Sequence, residues 1–213
     1  MDKRKFLDAA LIILFLLTMS FYFLSRILHE ILGLIMAAGV VVHVFINRRR
    51  FFSSFKGKLS ARKIFSNAIN LFLIANFLTV LITGIFLSNY IFHDFIPLEF
   101  RRNMIFHQLH VALPYSMMIL IGLHIGLHWK ELREKFLRFM KNSLLEKILA
   151  ALIICAGIYG SFLNRVGDRI LMKHIFATPA TELSLPIFLL ILLSTTLLYA
   201  VLIVLAEKIF KLK

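Results

Sequence analysis

The sequence predicts an all-α fold, a polytopic transmembrane helical bundle of about six spans. Apolar residues make up 60% of the 213 residues and the mean hydropathy is +0.87, well above the values of a soluble domain. Six apolar stretches are each about long enough to span a bilayer, which takes about 20 residues. We therefore expect one integral membrane domain embedded in lipid.

The six predicted spans differ mainly in what flanks them. The first follows a basic start and could be a signal peptide, but its apolar run is long and no A-x-A-like cleavage site follows, so we interpret it as a helix. In chain order the spans are Phe6–Ser25, Ile27–Ile46, Ile64–Ser88, Met104–Trp129, Leu145–Leu163 and Leu185–Ala206.

The net charge of +14 is distributed unevenly between the two sides of the bundle. With the N-terminus placed inside, nineteen of the 25 Lys and Arg residues lie in inside segments and six in outside segments. This positive-inside bias predicts that both termini are cytoplasmic. Topology accounts for the charge, so we expect no nucleic-acid partner, and the basic inner loops should favour anionic lipid headgroups.

Four histidines lie inside the apolar stretches at one repeated spacing. His29 and His43 are fourteen residues apart in the second span, and His110 and His124 are fourteen apart in the fourth. Fourteen residues are close to four helical turns, so each pair shares a face with its members about 21 Å apart along the axis. An imidazole within a bilayer is costly and indicates a functional site.

The two histidine-bearing spans run in the same direction, because one span separates them. His29 therefore matches His110 in depth near the outer face, and His43 matches His124 nearer the inner face. Neutral imidazole is a common axial ligand of haem iron. We predict two haems, each bound by one histidine from each helix. Two imidazoles leave iron no open position, which suits electron transfer rather than oxygen activation.

Glycines close to the histidines fit the same prediction, because a glycine lets a planar ligand approach the backbone. Small residues also mediate ordinary helix packing in membranes, and that interpretation stays open. The candidate cofactor-binding glycines are Gly33, Gly39, Gly84 and Gly122.

The remaining histidines are weaker candidates. His107 lies one turn before His110 and is an alternative ligand, but its spacing to His124 is seventeen. His128 is suited to a hydrogen bond with a haem propionate at the interface. His93 and His174 lie in outer loops and are interpreted as solvated. Arginines that could pair with propionates are Arg26, Arg101 and Arg102 outside and Arg48, Arg49 and Arg62 inside.

Other chemistries have less support in the sequence. It holds no Ser-His-Asp array, phosphate loop, CxxC or HExxH, and a single cysteine, Cys155, excludes an intrachain disulfide. The alternatives to a cytochrome are a membrane transporter whose histidines bind a cation such as Zn²⁺, and a non-redox assembly subunit. A histidine cation site should add carboxylates, and only Glu30 is close to a paired histidine in sequence.

Several strings resemble one known family. These are His29-Glu-Ile-Leu-Gly33 with His43 and Asn47, Thr83-Gly84-Ile-Phe-Leu-Ser88, and His110 with Tyr115 followed by His124-Ile-Gly-Leu-His128-Trp129. They resemble the flavinylation-associated cytochromes, a membrane family formerly of unknown function. The resemblance covers about Phe6–Trp129, and the chain departs from the family at Thr18-Met-Ser20, where a glycine is usual.

The resemblance implies a bacterial or archaeal b-type cytochrome of the cytoplasmic membrane, with a cytochrome b-like four-helix core that holds two b haems. Electrons would come from a quinol or a cytoplasmic-side donor and pass to an extracytosolic, often flavinylated, acceptor protein. We expect no flavin on this chain itself and a role as the electron-transfer subunit of an oxidoreductase system. Residues 1–135 are predicted to form the haem-binding core, and residues 136–213 to add two transmembrane helices.

Overall fold

A computed structural model describes residues 3–57, 60–128, 143–173 and 183–209. Within these ranges the regular elements are all helices, which confirms the predicted all-α class for this part of the chain. A 3₁₀ turn at Phe21–Phe23 follows the first helix. The α-helices are α1 (Lys3–Met19), α2 (Arg26–Ser53), α3 (Ala61–Phe86), α4 (Leu98–Arg101), α5 (Met104–Leu127), α6 (Ser143–Leu163), α7 (Val166–Ile170) and α8 (Leu185–Ile209).

Four of the described helices are long and apolar enough to cross a membrane: α2, α3, α5 and α8. The protein is therefore an integral membrane protein, and the described residues support four of the six predicted spans by length and composition. Helix α6 contains a shorter apolar segment, Lys147–Leu163, and α1 has 17 residues. Helix α1 stops at Met19, six residues before the predicted end. Just there, Ser20 donates its hydroxyl to the Leu16 carbonyl, and such side-chain bonds compete with the helical pattern.

Polar caps start three of the long helices. Ser25 accepts a hydrogen bond from the Leu28 N–H at the start of α2, and Ser60 accepts one from the Lys63 N–H at the start of α3. Asn103 accepts from two N–H groups in the first turn of α5. Each cap satisfies a backbone donor that would otherwise lack a partner. The caps thereby fix where α2 and α5, the histidine-bearing helices, begin.

Helix packing places α5 in the middle of the bundle. Helix α5 packs on α3 and α8, α8 also packs on α6, and α1 packs on α2. The last helix contributes to the central core, because Leu192 belongs to the same buried cluster as the residues from α1, α2, α3 and α5. The last helix therefore packs into the same core as the histidine-bearing helices. The buried members of this cluster are Phe15, Leu16, Met36, Phe77, Met117, Met118, Val166 and Leu192.

In the described structure, helix α2 packs mainly on α1 and is not closely packed against α5. Near one end, the Glu30 carboxylate accepts hydrogen bonds from the Ser88 hydroxyl at 2.8 Å and from the N–H groups of Asn89 and Ile91. Farther along, Gly39 faces Leu11 of α1. These contacts fix α2 beside its neighbours and leave the side chains that face α5 to bridge the space between the two helices.

Some predicted features lie outside the described residues. The sequence also predicts an interfacial anchor at Trp129 and Lys130, a helical inner loop with Glu131 opposite Lys135, and an outer loop that carries His174, Pro179 and Glu182, and the structure does not describe these residues. A surface helix predicted at Val166–Ile175 is described as far as residue 173, and its helical part is Val166–Ile170.

Candidate cofactor site: two facing histidine pairs

The structure brings the four predicted histidines together as two facing pairs. In the first pair, His29 of α2 faces His110 of α5, with ring centres 6.1 Å apart and ring planes at 87°. In the second pair, His43 of α2 faces His124 of α5, with ring centres 6.5 Å apart and planes at 68°. Each pair spans the gap between the two helices at its own depth in the bundle.

The ring separations fit an atom held between two imidazoles. A metal–nitrogen bond to imidazole is about 2 Å, and the ring centre lies about 1 Å beyond the nitrogen, so two ligands on opposite sides of one metal have centres about 6 Å apart. Both measured separations, 6.1 and 6.5 Å, match that distance. Rings in direct hydrogen-bonded or stacked contact would have closer centres. The residues present therefore fit axial ligation of two haems.

Three of the four rings are anchored through Nδ1 to an oxygen acceptor. Nδ1 of His110 lies 3.0 Å from the Val80 carbonyl, and Nδ1 of His124 lies 2.8 Å from Oδ1 of Asn70. Nδ1 of His43 lies 2.8 Å from Oδ1 of Asp8. Histidines that bind metals usually donate their other ring N–H to such a carbonyl, amide or carboxylate. With the proton on Nδ1, Nε2 carries the lone pair available for a metal.

The fourth ring, His29, is positioned by packing. It meets the edge of Phe21, from the turn after α1, with ring centres 5.0 Å apart. Its Nδ1 is buried and has no hydrogen-bond partner among the described residues. The two members of the first pair therefore differ: His110 is fixed by the α3 backbone, and His29 by an aromatic contact.

One predicted glycine lies directly against a paired histidine. A Cβ at Gly84 would be 2.8 Å from Cε1 of His110, so position 84 must be glycine for the ring to take this place. Thr83, next to it, is buried and lies 3.3 Å from Nδ1 of the same ring. Helix α3 therefore forms one wall of the first pair, as expected for Thr83-Gly84.

The other predicted glycines lie elsewhere. A Cβ at Gly122 would be 2.3 Å from the Thr196 carbonyl, which makes this glycine a contact between α5 and α8. Gly39 faces Leu11, and a Cβ at Gly33 would have open space around it. Close helix packing accounts for the surroundings of Gly39 and Gly122, which is the alternative that the sequence left open, and their assignment to the cofactor stays a prediction.

Of the other polar residues predicted to help bind haem, one lies beside a histidine pair and two contact other parts of the protein. The ring of His128 lies 4.8 Å from that of His124, at the second pair. Arg62 is bonded to the Glu207 carboxylate and the Leu127 carbonyl, so it ties α3 to α8 and α5. Arg48 donates to the Phe45 carbonyl and sits 3.9 Å from that ring's centre. Two of the inner arginines predicted to bind propionates thus have protein partners.

An apolar layer separates the two pairs. Met36 lies midway between His29 and His43 in sequence, and Met117 lies midway between His110 and His124. Both methionines are buried in the central cluster, together with Phe15 and Phe77. The two pairs are therefore distinct sites with packed hydrocarbon and sulfur between them.

Sequence reasoning missed two residues that orient the rings. Asp8 is the one charged residue within the first predicted span, and an ionisable residue in such a span indicates function, so this signal was present. Asn70 is one of several polar residues in the third predicted span, for which interhelical hydrogen bonding is the default interpretation from sequence, and its partner in the structure is His124. The two contacts join residues 35 and 54 positions apart, which spacing along one helix does not reveal.

Comparisons of the chain with protein-family models, curated proteins and solved structures gave no match. Within the described ranges no cluster of three or more His, Cys, Asp or Glu residues is arranged to hold a bare metal ion.

Proposed function

We propose that this protein is a di-haem b-type cytochrome that transfers electrons across a membrane. The observation that carries the proposal is the pair of facing imidazoles, repeated at two depths, with ring centres 6.1 and 6.5 Å apart. A single buried histidine is explained by a structural hydrogen bond. Two pairs with ligand-like separation, in a bundle with membrane-spanning helices, are explained best by two axially ligated haems.

The protein's own residues would hold the cofactors and set their surroundings. Bound haem would supply two one-electron redox centres, one at each pair. Val80, Asn70 and Asp8 fix the tautomer and orientation of three of the four ligands. The ring of His110 is placed against Gly84, and Met36 with Met117 keeps water from the space between the pairs.

The orientation follows from the charge distribution. The positive-inside bias supports a cytoplasmic location for both termini, with the second pair towards the cytoplasmic face and the first pair towards the outside. A quinol or another inner-side donor would then deliver electrons near the second pair, and an outer redox protein would receive them near the first. The resemblance to flavinylation-associated cytochromes supports a flavoprotein as that acceptor and a bacterial or archaeal cytoplasmic membrane as the location.

The first test is cofactor content. The purified, folded protein should contain about two b haems per chain by the pyridine haemochrome assay, with an optical spectrum of low-spin iron. The spectrum also separates the alternatives, because a cation transporter or an assembly subunit would have no haem absorption. A haem-replete expression host that yields folded protein without haem would refute the proposal.

The second test is transfer across a bilayer. In proteoliposomes, an impermeant reductant on one side should reduce an impermeant acceptor on the other. His43→Ala should abolish this transfer while the first site stays reducible from its own side. His93→Ala, in the loop after α3, is the matched control and should leave the rate unchanged. Transfer at the native rate in His43→Ala would contradict the two-site arrangement.

A further inference from the structure

Three of the four candidate histidine ligands contact an acceptor through Nδ1 in the described structure, and one of these acceptors is charged. The Asp8 carboxylate lies 2.8 Å from Nδ1 of His43, whereas His110 contacts a backbone carbonyl and His124 an amide. Glu30, although next to His29 in sequence, directs its carboxylate to Ser88 and to two backbone N–H groups. The two pairs are therefore electronically unequal, and the carboxylate belongs to the second pair.

A carboxylate acceptor changes what an imidazole gives to a metal. When Nδ1–H is donated to an anion, the ring gains negative character and becomes a stronger donor through Nε2. Stronger donation favours the oxidised state of bound iron and lowers its reduction potential. A carbonyl or amide acceptor has the same orienting effect but a smaller electronic one, because it carries no net charge.

The position of Asp8 suits this role. It lies on α1, the helix that packs along α2, and its side chain is 52% exposed while that of His43 is 29% exposed. Asp8 also lies within two turns of the start of α1 at Lys3, directly after the basic residues Lys3–Lys5, so the carboxylate can keep its charge near the end of the helix while its bonded oxygen reaches the ring. If the carboxylate were fully buried, its negative charge would need a positively charged partner to offset the loss of solvation.

Resting on the proposed function, we infer that Asp8 is a positioning residue that makes the second site the lower-potential centre of the two. It acts through His43 and does not touch the cofactor iron. The consequence is a direction: with the second pair on the cytoplasmic side, electrons move energetically downhill from the cytoplasmic side to the outside. The inference adds a potential gradient to the proposed function and names the residue that creates it.

The experiment is an equilibrium redox titration of the haem-loaded protein, followed optically. The unaltered chain should show two resolved midpoint potentials, and His43→Ala, which removes the second site, should lose the lower one. Asp8→Asn keeps a hydrogen-bond acceptor but not the charge, so the lower potential should rise and the higher one stay. The electron paramagnetic resonance signal of the second ferric site should shift with it, which a purely structural role of Asp8 would not cause.

The chain provides a matched control for the loss of charge. Asp94 lies 2.8 Å from Nδ1 of His93 in the loop after α3, the same chemical pair away from both sites. Asp94→Asn should leave both potentials unchanged. Asp8→Glu keeps the carboxylate and should restore most of the lower potential that Asp8→Asn loses.

The outcomes separate the inference from the proposed function. An unaltered protein without haem would refute the proposed function itself. Two bound haems with potentials that Asp8→Asn leaves unchanged, or a change confined to the higher potential, would overturn the inference alone. If Asp8→Asn does not retain the second haem, Asn70→Asp decides the question. A carboxylate hydrogen-bonded to His124 should lower the potential of the second site further. An unchanged potential of that site in Asn70→Asp would overturn the inference.

Discussion

His107 and His110 lie one turn apart on α5, and the ring of His110 is the one that faces His29. His110→Ala should remove one of the two haems, because the first site then has a single ligand. His107→Ala should keep both, because the His29–His110 pair stays complete. Haem stoichiometry by pyridine haemochrome checks the pair of variants. The reverse result would mean that the ligand on α5 is one turn closer to the outer end.

Gly84 offers a test of the first site that leaves all four ligands in place. A methyl group at this position would be 2.8 Å from Cε1 of His110, so Gly84→Ala must displace the ring from its hydrogen bond to Val80. Loss of an orienting contact typically weakens metal binding about 10- to 100-fold. Haem titration of the apoprotein should show this loss at one site only.

Gly167→Ala is the control for that variant, because a Cβ at Gly167 has no neighbour within 4 Å. It should bind both haems as the unaltered chain does. Equal haem affinity in the two variants would show that the contact between Gly84 and His110 has no role in binding.

At the residue scale, sequence spacing located the four histidines but not the groups that orient them. The fourteen-residue repeat is a property of single helices, so it was readable without tertiary structure. The acceptors Asp8, Asn70 and Val80 come from α1 and α3, and their contacts depend on how helices rotate and tilt against each other. For the same reason the spacing does not reveal that Gly122, one half-turn from His124, lies against α8.

At the element scale, the contact between α5 and α8 is a close packing of backbones. A side chain at Gly122 would meet the Thr196 carbonyl, and one at Gly126 would meet Ile203. Gly122→Val should therefore destabilise the protein by about 1–3 kcal/mol, the usual cost of overpacking. The measurement is thermal unfolding of the purified protein in detergent.

The same variant separates packing from cofactor binding. Gly122→Val should keep the second haem in the fraction that remains folded, since this glycine faces α8 rather than His124. Selective loss of one haem without a change in thermal stability would instead show that Gly122 acts at the cofactor site.

The start of the fourth span was predicted well, and a polar cap is present there. Met104 was predicted as the start of the fourth span, and Asn103 caps α5 there. The end of α1 was wrong, because a hydropathy pattern does not register the side-chain bond from Ser20 to Leu16. Helix α2 continues to Ser53, beyond the predicted Ile46, because a helix can extend past the apolar region with a basic, polar turn.

At the scale of the whole molecule, the sequence predicted a membrane-embedded helical bundle and the structure supports four of its spans by length and composition. Hydropathy identifies apolar segments because the bilayer imposes one physical requirement on all of them. It does not report how helices associate. The central place of α8, through Leu192, was therefore not foreseen.

Orientation in the membrane is the prediction that belongs to the whole chain. A reporter fused after Lys213 should be cytoplasmic, and cysteines placed in Asn89–Asn103 should react with an impermeant reagent from outside, because nineteen of the 25 basic residues lie on the opposite side. Cys155 should first be replaced by alanine so that the introduced cysteine gives the signal. Labelling of that loop only from the cytoplasm would invert the proposed direction of transfer.

The apolar layer around Met36 and Met117 has an electrical consequence. Its buried members are apolar side chains, with the Thr18 hydroxyl 3.9 Å from the Met36 sulfur, so the layer solvates charge poorly. Under the proposed function, an electron that crosses this layer moves charge through part of the membrane, and transfer from one pair to the other works with or against the membrane voltage. A full crossing of one charge is worth about 2.3 kcal/mol per 100 mV. A membrane voltage that is negative inside should therefore drive electrons outward. Each electron transferred would lower that voltage, so the protein would discharge the membrane as it works.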